Sequence, residues 1–242
     1  MEYLSNADFW IGLVKIVWIN IILSGDNAVV IALAARSLPA QQQKRAVMFG
    51  SGAAVVLRIV LTVVAAKLLE LSFLQIVGGC LLLWIGYQLL TGEEEDDGAS
   101  KSAGGMFAAI RTILIADLVM SLDNVIAVAA TAQGNMVLLV LGLAISVPLV
   151  IFGSTLMIKL MERFPVIVTL GAALIGWVGG ETIVNDNLLH DYAMGHPWLH
   201  YVAAIAGAVL VVMVGKLMQS RGETRQTRKG WRALVRRECA AT

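Results

Sequence analysis

IILSGDNAVVIA, which spans Ile21 to Ala32, is repeated in altered form as LVMSLDNVIAVA, which spans Leu118 to Ala129. Each copy places Ser, Asp and Asn inside a run that otherwise consists of aliphatic residues and methionine. A carboxylate at the centre of a membrane helix costs roughly 2.5–3.5 kcal/mol on insertion scales. Because the chain bears this cost twice, we expect the two aspartates to serve its function.

The composition is that of an all-α integral membrane protein. Of the 242 residues, 58% are hydrophobic and only 14% are charged, and the mean hydropathy is +0.80. A soluble domain of this length would carry more charge. The net charge is +1, and the basic residues concentrate in the C-terminal tail, which predicts contact with anionic lipid and no nucleic-acid partner.

Hydropathy predicts seven transmembrane helices. A window of about 19 residues finds apolar spans at about 10–34, 46–67, 72–90, 107–130, 136–158, 165–184 and 199–218. Each is close to the ~20 residues that cross a ~30 Å hydrocarbon core.

The connecting loops predict the orientation. Basic residues gather after the first span (Arg36, Lys44, Arg45), after the fifth (Lys159, Arg163) and in the tail. Cytoplasmic loops carry the excess of Lys and Arg. We therefore expect a multi-pass protein of the inner (plasma) membrane with its N-terminus outside and its C-terminus in the cytoplasm.

Spans one to three match spans four to six. The offset is 97 for the pairs Asn20–Asp117, Ser24–Ser121, Asp26–Asp123 and Asn27–Asn124, 92 for Gly50–Gly142, and 93 for Gly78–Gly171, Trp84–Trp177 and Gly86–Gly179. Three spans are an odd number, so the second copy crosses the membrane in the opposite sense. Inverted repeats of this kind place substrate near the midplane, between the halves.

The predicted organisation is an inverted 3+3 repeat plus a seventh helix. Its parts are the first repeat (1–92), an acidic flexible cytoplasmic linker (93–105), the second repeat (106–184), an outer loop (185–198), the seventh helix (199–218) and a basic cytoplasmic tail (219–242).

The polar residues of the spans are hard oxygen donors, which suit Mn²⁺, Mg²⁺ or Ca²⁺. Asp117, Ser121 and Asn124 share one helical face, whereas Asp123 faces elsewhere unless the helix breaks at Ser-Leu-Asp, as Gly25 suggests for the first copy. A third carboxylate beyond the two that neutralise a divalent ion would permit proton exchange. The alternative interpretation is that the Asp-Asn pairs only hydrogen-bond helices together or cap helix breaks.

Other polar residues have secondary predicted roles. Arg58 lies in the second span and is expected to neutralise a membrane aspartate. Glu181 and its repeat partner Gln88 lie near opposite membrane faces and are candidate gates or interfacial residues. The outer region carries Asp186, His190, Asp191, His196 and His200, which form either a metal-collecting cluster or an ordinary polar loop.

With its two S-x-D-N motifs, Ser24–Asn27 and Ser121–Asn124, the chain resembles the TerC family, and most closely its short YjbE-type branch. The resemblance implies a seven-helix carrier related to LysE-type exporters and associated with Mn²⁺ efflux and tellurite resistance. An acidic residue commonly stands six positions before the motif Asp in this family. The second copy keeps it as Asp117, but the first has Asn20.

Carried onto this chain, the resemblance assigns the metal to Asp26, Asn27, Asp117, Asp123 and Asn124, with Asn20, Ser24 and Ser121 as weaker candidates. The predicted function is export of Mn²⁺ as a substrate, with no enzymatic activity and no permanently bound cofactor. The alternatives are a non-transporting scaffold in a tellurite or envelope stress complex and an intramembrane aspartyl protease. Nothing in the sequence identifies an oligomer.

Overall fold

A computed structural model describes residues 7–23, 25–68, 71, 73–91, 103–132 and 136–239. All regular elements within these ranges are α-helices. They are α1 (Ala7–Leu23), α2 (Gly25–Ala35), α3 (Ala40–Leu68), α4 (Leu74–Thr91), α5 (Ala103–Ala132), α6 (Met136–Arg163), α7 (Val166–Val184), α8 (Asn187–Met194) and α9 (Trp198–Cys239).

Six of the described helices are long and apolar enough to cross a membrane. Their spans are Ala40–Thr62, Leu74–Thr91, Gly105–Leu122, Val137–Arg163, Val166–Val184 and Trp198–Gln219. They correspond to the second through seventh predicted spans. The protein is therefore an all-α, multi-pass integral membrane protein.

The first predicted span, 10–34, is two helices. Here α1 ends at Leu23 and α2 begins at Gly25, which agrees with the break that Gly25 suggested, and Ser24 between them lies outside the described residues. Glycine lowers helix stability by about 1 kcal/mol relative to alanine, which favours an interruption at this point. The second copy differs, because α5 continues through Ser121–Asn124 without a break.

The helices pack in pairs that join the two halves. The pairs are α3 with α5, α1 and α2 with α6, and α4 with α7, while α9 lies against α7 and α4. The larger apolar core includes Leu33, Leu82, Ile113 and Ile175. A smaller one at α1, α5 and α6 includes Ile16, Val128 and Leu143.

Glycines set how closely these pairs approach. A Cβ at Gly50 of α3 would lie 2.9 Å from Cδ1 of Ile113 in α5, and a Cβ at Gly142 of α6 would collide with Ile16 in α1. Between α4 and α7, a Cβ at Gly79 would lie 2.5 Å from the Gly179 carbonyl oxygen. Small residues let membrane helices approach to backbone contact.

Asp186 joins the end of α7 to the start of α4. Its side chain is 1% exposed. Oδ1 accepts hydrogen bonds from the backbone N–H groups of Phe73 and Leu188, at 3.2 and 3.1 Å. Oδ2 accepts from Gln75 and Ile76, at 3.1 and 3.3 Å. One carboxylate thus caps both α4 and α8, and it holds Phe73, which has a positive φ of 69°. Sequence reasoning had grouped Asp186 with candidate metal ligands.

We expect Asp186→Asn to lower the free energy of unfolding at neutral pH by about 1–3 kcal/mol, because an amide nitrogen would face two of the four N–H donors. Burial raises the pKa of Asp186, but the backbone N–H donors outweigh it and leave the pKa below the usual 3.8. The carboxylate's contribution is therefore complete above that value and is lost as pH falls through the folded-state pKa.

Unfolding of the detergent-solubilised protein at pH 7 and pH 3 measures this effect. The difference between wild type and Asp186→Asn should shrink at the lower pH, whereas Glu162→Gln, at an exposed site in α6, should leave stability unchanged. An equal loss at both pH values would contradict the carboxylate's role.

Candidate metal-binding site

A buried ion pair connects the two halves of the chain. Nη2 of Arg58 in α3 donates to Oδ1 of Asp117 in α5 at 2.6 Å. Nε of Arg58 donates to Oγ of Ser121 at 3.1 Å, and that hydroxyl donates to Oδ2 of Asp117 at 3.2 Å. Arg58 is 4% exposed and Asp117 6%, so the three side chains form a buried polar cluster inside the apolar bundle.

The geometry follows from the helices. Asp117 and Ser121 are four residues apart on the continuous helix α5, which places them on one face. A buried ion pair is tolerated only when good geometry and further hydrogen bonds compensate for desolvation. Ser121 supplies that further contact to both charged groups, so the arrangement satisfies the requirement.

Beside this cluster lies a cavity with unsatisfied polar atoms. Within the described part of the chain, neither Nδ2 nor Oδ1 of Asn27 has a hydrogen-bond partner, and neither does Oγ of Ser51. The cavity measures about 20 Å³ and is lined by Asn27, Ile31, Ser51, Ala54, Val55, Arg58, Asp117, Ser146, Val147 and Val150. A cavity of roughly 10–15 Å³ holds one water, so this one accepts a single particle of that size.

Asp26 immediately precedes Asn27, which lines this cavity, and it interacts electrostatically with Arg58 and Asp117. It stands in the first turn of α2, where its Oδ1 accepts the backbone N–H of Asn27 at 2.8 Å. It is half-buried and within electrostatic range of both Arg58 and Asp117. The break between α1 and α2 thus brings a second carboxylate to the same region as Asp117.

Part of the predicted ligand set lies outside the described residues. This holds for Ser24 and for the side chains of Asn20 and Asp123. Asn124 is half-buried in α5 and engaged in an interaction. Within the described residues, no three His, Cys, Asp or Glu side chains come close enough to hold a metal ion. The described donors are therefore two carboxylates, an amide and hydroxyls.

The ion pair has no charged counterpart in the other half. The repeat offsets pair Asp117 with Asn20 and Arg58 with Val150. Both paired sequence positions thus carry neutral residues. Val150 lines the cavity.

Two cavity residues, Ser51 and Ser146, were not found by sequence reasoning. Both are fully buried, and the Ser146 hydroxyl donates to the Leu143 carbonyl at 2.7 Å. Ser51 precedes Arg58 by seven residues, so the two share a face of α3. The seven-residue spacing could have indicated that Ser51 lies near Arg58. Serines are common in membrane helices, however, so the spacing did not single it out.

The candidate gates lie elsewhere. Gln88 is near the end of α4 and Glu181 near the end of α7. Because Asp186 joins the start of α4 to the end of α7, the two helices are antiparallel and these side chains lie toward opposite ends. Neither lines the cavity at Asp117, and a gating role for them stays a prediction.

The described residues between the end of α7 and the start of α9 form no metal cluster. The ring of His196 stacks on Tyr192 at 4.7 Å and meets Trp198 edge-on at 5.9 Å. Asp186 is engaged by backbone N–H groups, and the side chains of His190 and Asp191 lie outside the described residues. Among the described residues, aromatic stacking and helix capping organise this region.

Comparison with known proteins identifies the family to which this chain belongs. The model of the integral membrane protein TerC family matches residues 5–223, which include both S-x-D-N motifs and the Arg58–Asp117 pair. The chain belongs to the TerC family. This TerC protein is 45% identical over 206 residues to the uncharacterized membrane protein YjbE of Bacillus subtilis, covering 85% of the chain and 94% of YjbE.

More distant relatives share the same region. The uncharacterized membrane protein YceF of Bacillus subtilis is 24% identical over 234 residues, which cover 92% of this chain and 90% of YceF. The inner membrane protein YoaE of Escherichia coli K12 is 25% identical over 236 residues, which cover 90% of this chain and 44% of YoaE. No solved structure matches the chain significantly.

Proposed function

We propose that this TerC protein is a secondary carrier that exports a divalent metal cation, with Mn²⁺ as the preferred substrate, from the cytoplasm in exchange for protons. The observation that carries the proposal is the cavity beside Asp117, where the unpartnered amide of Asn27 and hydroxyl of Ser51 surround space for one water-sized particle. Buried polar atoms of this kind normally have partners, and a transported ion would supply one.

The chemistry of the donors supports a hard cation. All polar atoms that line the cavity are oxygens or nitrogens of Asn, Ser, Asp and Arg, and neither His nor Cys is among the lining residues. Carboxylate, amide and hydroxyl oxygens suit Mn²⁺ and Mg²⁺, whereas thiolate and imidazole ligands favour Zn²⁺ and copper.

Arg58 has a role in this scheme. Its guanidinium group neutralises Asp117. A cation that binds Asp117 must share the carboxylate with Arg58 or displace it, so binding and movement of α3 against α5 become coupled. Protons that enter as the metal leaves would balance the remaining negative charge.

An inverted repeat is part of the proposal. Two contacts support it: Gly50 packs on Ile113, and Gly142 packs on Ile16. The repeat offsets pair Gly50 with Gly142 and Ile16 with Ile113, so the two contacts exchange under the pseudo-two-fold relation. We further propose seven crossings, with α1 and α2 together forming the first, and an outside N-terminus.

Metal flux into proteoliposomes tests the function. We expect Mn²⁺ flux that responds to a pH gradient in wild type and falls by at least about tenfold in Asp26→Asn and Asp117→Asn, since even outer-shell partners of a metal cost 10–100-fold. Glu162→Gln, an exposed acid in α6, is the matched control and should transport normally.

Insertion is verified for each variant by protease accessibility of the reconstituted protein. Equal fluxes of Mn²⁺ in wild type and both aspartate variants would contradict the site. A correctly inserted wild type with no flux of Mn²⁺ or Ca²⁺ would contradict the carrier and favour a scaffold.

A further inference from the structure

A second cavity lies between α7 and α9, where α7 ends and α9 begins. It has a volume of about 390 Å³ and is lined by Trp177, Glu181, Pro197, His200, Tyr201 and Ala204. Small-molecule sites typically span about 300–1,000 Å³. The cavity is separate from the Asp117 cluster, with which it shares no lining residue.

The polar groups of this cavity suit a ligand that carries one positive and one negative group. Among the residues that the structure describes, no side-chain hydrogen bond or ion pair engages the Glu181 carboxylate. Trp177 and Tyr201 line the same cavity, and aromatic faces attract ammonium groups. The imidazole of His200 offers an N–H donor to an anionic oxygen. A carboxylate, two aromatic rings and an imidazole together match an ammonium group that is joined to a phosphate.

The cavity lies at the depth of lipid headgroups. Glu181 is three residues from the end of α7, and the exposed Trp198 and Tyr201 stand at the start of α9. Tyr and Trp concentrate at the membrane–water interface.

An apolar surface continues from the cavity toward the membrane interior. Leu174 precedes Glu181 by seven residues on α7, and Ile205 follows Tyr201 by four on α9, so each lies on the cavity-lining face of its helix. Both are exposed, as are Leu170 and Val209 one turn further along. This surface has the chemistry to receive acyl chains, which favours a lipid over a soluble amine.

We propose that this cavity binds the headgroup of an amine phospholipid of the phosphatidylethanolamine type. Glu181 pairs with the ammonium between Trp177 and Tyr201, His200 donates to a phosphate oxygen, and the acyl chains follow the exposed apolar residues of α7 and α9. This site shares no lining residue with the cavity of the proposed metal site.

Lipid retention by the purified full-length chain tests the proposal. Native mass spectrometry after reconstitution with equal amounts of phosphatidylethanolamine and phosphatidylglycerol should show a preference for the amine lipid of about tenfold, equivalent to 1.4 kcal/mol. Glu181→Gln should abolish this preference and Trp177→Leu should reduce it, while Glu162→Gln should retain it. Mn²⁺ flux by the wild-type chain in the same liposomes separates this result from a failure of the carrier, because the lipid preference is measured whether or not metal is carried.

Three outcomes would overturn the proposal. The first is equal retention of the two lipids by wild type. The second is an unchanged preference in both Glu181→Gln and Trp177→Leu with normal size-exclusion profiles. The third is displacement of the bound lipid by free ethanolamine or by Mn²⁺ at equal concentration, which would identify a soluble amine or a metal as the ligand.

Discussion

Arg58→Gln should lower the free energy of unfolding by about 3–5 kcal/mol, because it leaves the Asp117 carboxylate buried without its cation. Asp117→Leu should also lower the free energy of unfolding, since the buried guanidinium group of Arg58 would lose the ion pair with Asp117. The double variant Arg58→Leu/Asp117→Leu removes both charges and should be nearly as stable as wild type. Stability and transport would thereby be separated, because the double variant should fold but should not carry metal.

Equilibrium unfolding in mixed detergent micelles measures these free energies. Arg111→Gln is the matched control, because Arg111 lies exposed on α5, six residues before Asp117, and its loss should change stability little. Single variants that cost less than about 1 kcal/mol would mean that the pair behaves like a solvated surface ion pair.

Gly207→Ala should destabilise the α7–α9 contact by about 1–3 kcal/mol, the usual cost of overpacking. A Cβ at Gly207 would collide with the carbonyl oxygen of Gly176, and the reciprocal Cβ at Gly176 would lie 2.6 Å from the Gly207 carbonyl oxygen. Backbone atoms on both sides leave no flexible side chain that can yield, so α9 must move outward.

Gly52→Ala is the control, and its expected change in stability has the opposite sign. A Cβ at Gly52 of α3 meets nothing within 4 Å, so the substitution should raise stability by up to about 1 kcal/mol through helix propensity. Thermal unfolding of the two variants under the same conditions makes the comparison. A similar small effect of both substitutions would show that the helices separate easily at Gly207.

Sequence reasoning located most of the membrane helices and the residues of the polar cluster. It succeeded there because a charged side chain in a membrane span carries a large free-energy penalty unless it is paired. Arg58 in an apolar span requires an opposite charge, and the pairing with Asp117 is the kind of partner that this cost demands. Gly25 similarly favoured a helix boundary in the first motif, and α2 begins at this residue.

Features set by tertiary contacts could not be read in this way. The second S-x-D-N copy has Leu122 where the first has Gly25, and α5 continues through it, although the repeat suggested an equivalent break. The sequence left Asp186 either in a metal-collecting cluster or in an ordinary polar loop. Its capping role could not be predicted because its four N–H partners lie at the starts of α4 and α8 and come together only in the folded protein. Ser51 acquired its role only through the cavity that four helices enclose.

The ion pair between the halves has a consequence for biosynthesis. Arg58 and Asp117 are 59 residues apart, so α3 leaves the ribosome well before its partner exists. At about 5–20 residues per second the delay is roughly 3–12 s, during which an uncompensated arginine in lipid disfavours insertion by about 2.5–3.5 kcal/mol. The apolar residues of α3 must outweigh this penalty until α5 emerges, and the Arg58–Asp117 pair adds its stabilisation only when α5 has followed.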